Sequence, residues 1–177
     1  MKILTTPDPF LRKKAKPVTS WTPKLQKHLE EMTVLLKESK DPQGVGLAAT
    51  QVGIDKRFFI LLDEDNVKVF INPKILEVST KMLSDKYKND RKRPLEGCLS
   101  IPKLWGFVDR PYQVVFTYHT LENQTLKSVT KTFKNLDAIG IQHEQDHLDG
   151  VLFTDRILKQ NGTIFKETKN GLTPLNQ

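Results

Sequence analysis

One cysteine stands among 177 residues, and that scarcity is the first constraint on the chain. A single thiol forms no internal disulfide, so the composition fits a reducing compartment. It also rules out zinc-ribbon and finger spacings, which need several thiols. Long apolar runs are missing too. Stretches such as residues 58–62 are far too short to span a bilayer, and no membrane association is expected. Lys2, Ile3 and Leu4 follow Met1 at once, with no apolar h-region and no small-residue cleavage site behind them. A secretory signal is therefore not expected. Internal repeats and low-complexity tracts are likewise absent.

What is present suits one globular domain. Hydrophobic residues make up 37% and charged residues 28%, enough apolar material for one sizeable core at this length. The expectation is a single catalytic unit over residues 1–177, with the tail after about residue 159 peripheral. Lys and Arg outnumber Asp and Glu by 28 to 21, a formal charge of +7. Such a surplus attracts polyanions but also keeps ordinary proteins in solution, and the second reading is the plainer one.

Thr22-Pro23 reads as an N-cap followed by proline at the first helical position. Leu25, Leu29, Met32 and Leu36 then recur at helical spacing, predicting an amphipathic helix over 23–39 that stops at Asp41-Pro42-Gln43-Gly44. Strand-like runs follow at 58–62, 67–72, 75–78, 105–108 and 112–120. The turn Glu122-Asn123-Gln124 leads into another at 126–133. A second helix fits 136–148, with Asn135 or Asp137 near its cap and Gly150 just past its end. This order predicts an α+β fold, antiparallel strands packed around a late helix. Asn161-Gly162 and Asn170-Gly171 suit tight turns better than a continuous helix. Lys81, Lys86, Lys88, Arg91, Lys92 and Arg93 face only Asp85 and Asp90, so 81–93 reads as an exposed, mobile loop.

The late helix carries Gln142-His143-Glu144-Gln145-Asp146-His147. Histidines four apart lie one turn above the other on one face, where both imidazoles reach a single ion. Glu144 flanks that ion and is placed to take a proton from water. H-E-x-x-H also arises by chance on charged surface helices, but Ile139, Ile141 and Leu148 argue for a helix packed into the core. Two nitrogens leave the site incomplete. Metzincin proteases place a third histidine where this chain has Phe153, which binds no metal, and only 24 turn-rich residues follow it. The missing ligand is sought upstream in Glu96-Gly97-Cys98-Leu99-Ser100, whose thiolate suits zinc or ferrous iron.

With these residues assembled, the chain resembles the peptide deformylase family. It has Gly44-Val45-Gly46-Leu47-Ala48-Ala49-Thr50-Gln51, then Glu96 to Ser100, then Gln142 to Leu148, in the family's order. The opening Pro7-Asp8-Pro9-Phe10-Leu11-Arg12 is also similar, and the likeness spans roughly residues 1–158. The resemblance implies a metal held by Cys98, His143 and His147, and Glu144 as general base. It assigns the Gln51 amide and the Leu99 backbone N–H to oxyanion stabilisation. Val45, Gly46 and Leu47 become an extended edge for the substrate peptide. Leu136, Ile139 and Gly140 line the pocket for the side chain after the formyl group, with Val45 and Leu47 covering it. Glu96 is either a surface charge or the ion-pair partner of Arg110, pinning the cysteine loop. The implied reaction removes the N-formyl group from formyl-methionine of new polypeptides, releasing formate.

The resemblance favours Fe(II) in the cell, while two imidazoles and a thiolate also suit Zn(II), Ni(II) or Co(II). It implies a cytoplasmic, bacterial-type monomer acting on N-formylmethionyl nascent peptides, and the sequence equally fits a processed organellar or phage-encoded form. The basic 81–93 segment suggests contact with the ribosome. Two other readings stand beside it: a metallopeptidase cutting internal bonds, and a basic nucleic-acid-binding protein with a structural metal. Gly44-x-Gly46 lacks the further glycine and Lys-Ser/Thr of a phosphate loop, which leaves a plain turn or a binding edge. His28 and His119 are read as ordinary residues.

Overall fold

The computed structural model describes residues 1–40, 43–64, 66–89 and 92–175. Asp41 and Pro42 of the expected helix stop, and Asp90 and Arg91 of the basic segment, lie outside them.

Helix α1 (Pro23–Glu38) begins as its sequence dictates: Thr22 Oγ1 accepts a hydrogen bond from Leu25 N at 3.1 Å, with proline in the first turn. Leu25, Leu29, Met32 and Leu36 are its buried stripe. In chain order the strands are β1 (Gly46–Ala48), β2 (Phe58–Asp63), β3 (Asn66–Val78), β4 (Glu96–Cys98), β5 (Ile101–Gly106), β6 (Gln113–Glu122), β7 (Thr125–Lys134), β8 (Ile164–Thr168) and β9 (Gly171–Pro174). They form two antiparallel sheets, one ordered β1-β2-β3-β6-β7 and the other β4-β5-β8-β9. The remaining α-helices among the described residues are α2 (Leu83–Lys86), α3 (Asn135–Leu148) and α4 (Phe153–Lys159), beside 3-10 turns at Pro9–Arg12 and Ala49–Val52. The expected α+β class is what forms.

Strand β2 explains how the larger sheet is covered. Successive side chains point to opposite faces, so Phe58 and Ile60 join the α1 cluster while Phe59 and Leu61 join the α3 cluster. A strand buried on both faces reads as a continuous apolar run. On the α3 side, Phe59 stacks on Phe70 at 4.7 Å between centroids, and Phe116, Tyr118 and Phe133 join the group. Each such side chain removed from water contributes roughly 1.5–3 kcal/mol. That layer fixes the floor on which α3 rests.

Several sequence expectations need correction. Residues 67–72 and 75–78 belong to one strand, β3, interrupted by a register shift between Ile71 and Lys74. Asn72 has φ +49° there, and its side chain accepts from Val18 N and donates to Val18 O. The 105–108 run is the end of β5, and Val108 lies beyond it, buried with Cys98. The basic 81–93 segment is not simply a loop. It contains α2, whose Leu83 is fully buried, and Lys81 and Lys86 lie over the Tyr112 ring. Asn135 and Asp137 do lie near the start of α3, beside its N-cap Lys134, but no side chain caps it; Asn135 has φ +56° and its Oδ1 accepts from the Tyr87 hydroxyl at 2.7 Å. Gly150 does end the helix, at φ +74°, with a bare Cα facing the Arg12 carbonyl.

Candidate active site

Helix α3 sets His143 and His147 one turn apart, with ring centroids 5.0 Å from each other. The β4–β5 hairpin brings Cys98 to them. Its Sγ lies 3.1 Å from His147 Nε2, and donor atoms of Cys98, His143 and His147 all fall within 4.8 Å of one another. Further hydrogen bonds hold the thiol. Ser100 N donates to Sγ at 3.4 Å, and Gln51 Nε2 reaches Sγ at 3.5 Å and Ser100 Oγ at 3.1 Å. Gln51 is itself fixed, since its Oε1 accepts from Ala48 N at 2.8 Å. Thr50 Oγ1 donates to the His147 carbonyl at 3.0 Å, tying this loop to the helix.

A buried ionic chain supports the centre. His143 Nδ1 contacts Glu96 Oε2 at 2.8 Å, which turns the other ring nitrogen towards the thiol. Arg110 meets Glu96 through Nε and Nη2 at 2.5 and 2.9 Å, and Asp146 through Nη1 at 2.9 Å. Arg156 holds the far side of Asp146 at 2.5 Å. Burial alone would raise the Glu96 pKa, but Arg110 and His143 outweigh it and hold the carboxyl at about 2. Burial likewise opposes the Cys98 thiolate, yet His147 and His143 bring its pKa well below the usual thiol value. His143 is pushed the other way, because the thiolate and Glu96 overcome its desolvation and favour a positive charge. A site that gathers a thiolate and a carboxylate around two imidazoles calls for a cation.

Because Glu96, Arg110 and Asp146 are 6%, 4% and 7% exposed, Arg110→Ala takes the shared cation from two buried carboxylates and leaves Glu96 with His143 and Asp146 with Arg156. The expected loss is about 3–5 kcal/mol of stability. Lysine should restore little, lacking the planar fork. Chemical denaturation checks this, and a loss within ~1 kcal/mol would contradict the clamp.

Glu144 stands apart from that chain. Its Oε2 is buried without a hydrogen-bond partner among the described residues, and burial raises its pKa to about 7 although both imidazoles pull it down. Gly46 gives it room, since a Cβ there would meet Glu144 Oε1 at 2.5 Å. The group opens onto a cleft of about 240 Å³ whose lining includes Val45, Gly46, Gln51, Cys98, Leu99, Leu136, Ile139, Gly140, His143 and Glu144. The structure thus brings almost every expected site residue together. Leu47 differs: its side chain is wholly buried under α1, so it does not cover the pocket, and only its backbone lies on the edge strand β1.

Glu96 is no surface charge; its pairing with Arg110 is the second of the two readings weighed from sequence. Phe153, in the position of the absent histidine, lies 6.0 Å from the His143 ring, centroid to centroid. It begins a helix that the turn-rich reading of the tail did not foresee. That helix carries Asp155, which pairs with Arg12 and not with the centre. Neither His28 nor His119 lines the cleft. Sequence reasoning passed over Thr50, Ser100, Asp146 and Arg156 as structural partners, and Leu61, Leu95 and Trp105 as lining. Of these, only Thr50, Ser100 and Asp146 carried a signal, standing inside the quoted motifs.

A Cys-His-His donor group at the wall of an apolar cleft, beside a buried carboxylate with an unfilled hydrogen-bonding position, defines a metal-dependent hydrolase. The family model for polypeptide deformylase matches residues 1–162. A peptide deformylase of Finegoldia magna is 39% identical over 153 residues, 85% of this chain and 85% of that protein. The crystal structure of peptide deformylase from Thermotoga maritima superposes with a TM-score of 0.74 at 35% identity, covering 88% of this chain and 95% of that one. The Met-Ala-Ser-bound class I type b peptide deformylase from Acinetobacter baumannii gives 0.74 at 32% identity, covering 89% and 98%. The chain belongs to the polypeptide deformylase family.

Proposed function

We propose that this cleft hydrolyses the formyl amide at the amino end of a formyl-methionyl polypeptide, leaving formate and a free α-amine. One observation carries the reading: the donors of Cys98, His143 and His147 converge beside Glu144, whose Oε2 has no hydrogen-bond partner among the described residues. The donor set fits a divalent ion, with Fe(II) as the proposed resident. Bound there, the ion supplies a Lewis acid that polarises the formyl carbonyl and makes water more acidic.

The chain's own groups do the rest. Glu144 accepts the proton of the attacking water and passes it to the amine nitrogen as the C–N bond breaks. A carboxyl poised near 7 suits both directions of that transfer. Gln51 Nε2 and the Leu99 N–H donate to the oxygen that gains charge at the tetrahedral carbon. Strand β1 is an edge, paired among the described residues with β2 alone, and offers its backbone to an extended peptide. Leu136, Ile139 and Gly140 take the methionine side chain, which is long, flexible and apolar. In this reading the enzyme is a cytoplasmic monomer that meets nascent chains at the ribosome, with Lys88 and Lys92 exposed in its basic segment. Such a contact would weaken as salt rises.

The decisive assay is formate release from formyl-Met-Ala-Ser by anaerobically prepared protein of measured metal content. No release would defeat the reading; cleavage of unblocked peptides would favour the peptidase instead. Side-chain preference gives a sharper check. Around Gly140 the nearest outside atom to an added Cβ is Leu61 Cδ2 at 3.8 Å, so the position is open. Gly140→Leu should fill that space and lower formyl-Met turnover on the order of a hundredfold, while formyl-Gly peptides and metal content change little. Equal losses on both substrates would place the pocket elsewhere.

A further inference from the structure

The sheet β4-β5-β8-β9 leads away from the cleft. In its register Gly97 pairs with Trp105, Trp105 with Phe165, and Phe165 with Pro174, so the last three side chains project on the face that Gly97 leaves bare. The face begins in the cleft, where Gly97 and Trp105 are lining residues, and the two fit closely: a Cβ on Gly97 would lie 2.6 Å from the Trp105 ring. Further along, Phe165 and Leu172 wall a second cavity of about 500 Å³ with Arg93, Leu95 and Phe107. Arg93 lies over the Phe107 ring at 4.9 Å and closes one side. Leu95 lines both cavities, so the second continues the first. The hairpin that builds it is locked to the cleft wall, because Trp105 Nε1 donates to Glu167 Oε2 at 2.9 Å. This hairpin starts at Ile164, beyond the end of the family match at residue 162.

We propose that the outer face of this C-terminal sheet is an extended substrate subsite, holding apolar residues of the polypeptide that trails from the formyl-methionine. The inference rests on the deformylase reading and adds a specificity to it. Leu172 and Leu95 are 43% and 38% exposed, and apolar side chains left open to water gain when a peptide covers them. Distance sets which residues are held. Two strand spacings, about 10 Å, separate Gly97 from Phe165, and an extended peptide covers that in about three residues. With formyl-methionine at Gly140 and the next residues beside Leu95 and Trp105, the fourth to sixth residues reach Phe165 and Leu172.

The test compares formyl-Met-Ala-Ser with two hexapeptides, formyl-Met-Ala-Ser-Phe-Leu-Ala and formyl-Met-Ala-Ser-Glu-Gly-Asp. The apolar hexapeptide should show a KM lower by about tenfold, as expected for covering one or two large side chains, while the polar one matches the tripeptide. In the double variant Phe165→Ser, Leu172→Ser the gain should vanish with tripeptide turnover unchanged. Equal KM for all three peptides, or a gain that survives the double variant, would overturn the subsite while leaving deformylation intact. Absence of formate release from the tripeptide would instead remove the underlying reading, and the subsite with it. A second measurement covers the case in which the variant does not fold. A benzophenone side chain at the fifth residue of the peptide should crosslink wild-type protein within 163–175, and labelling confined to other segments would refute the placement.

Discussion

Cys98→Ala protein, prepared with the metal in excess and then dialysed, retains little of it. The thiolate is the one sulfur donor of the centre, and the two imidazoles that remain, 5.0 Å apart, hold a divalent ion far more weakly. Even a partner one step removed from a metal changes affinity by about 10–100-fold. Loss of a direct ligand should exceed that range. The fold should survive, because Cys98 contributes one small buried side chain while the Glu96–Arg110–Asp146 chain stays whole. Metal analysis on protein of unchanged circular dichroism decides the matter; one equivalent retained would rule out this ligand set.

Glu144→Gln gives the opposite pattern, an enzyme that keeps its metal and loses its turnover. The substitution preserves size, but the amide cannot accept a proton from water, and general-base assistance is worth about 10²–10⁴-fold. Because the carboxylate lies against the Cα of Gly46, the isosteric amide fits without displacing β1. The loss should appear in kcat with KM little changed, since the proton moves only as the bond is made. Activity within about tenfold of the parent would transfer the base to another group.

How much of this was legible before any coordinates depends on how local each signal is. The two imidazoles were readable because a spacing of four residues acts through one helical turn. Thr22-Pro23 and Gly150 were readable because caps are settled by their own few residues. Cys98 needed more: its motif named it, but only the metal-binding helix gave the thiol a purpose. The Arg110 chain was half visible. Its link to Glu96 was a weighed alternative, while its link to Asp146 joins positions 36 residues apart and leaves no local pattern. Leu47 was misjudged for a related reason. A strand places alternate side chains on opposite faces, and which face is inside depends on α1 packing over it. The tail shows the same limit: Asn170-Gly171 announced a turn, but pairing of β8 with β5 is set across the molecule. Helix α4 has seven residues, too few for a periodic pattern to stand out.

The Glu96–Arg110–Asp146 chain also bears on how an ion comes and goes. Many small metal-binding domains fold only around their ion, so capture and folding share one free energy. Here the cysteine hairpin and the histidine helix are also joined by ion pairs of their own, Arg110 to Glu96 and Asp146, and Glu96 to His143. Those pairs are expected to keep the hairpin on the helix when an ion leaves, so that the fold outlasts its metal. Exchange between one divalent ion and another then needs no refolding, and is governed by desolvation of the incoming ion and release of the outgoing one.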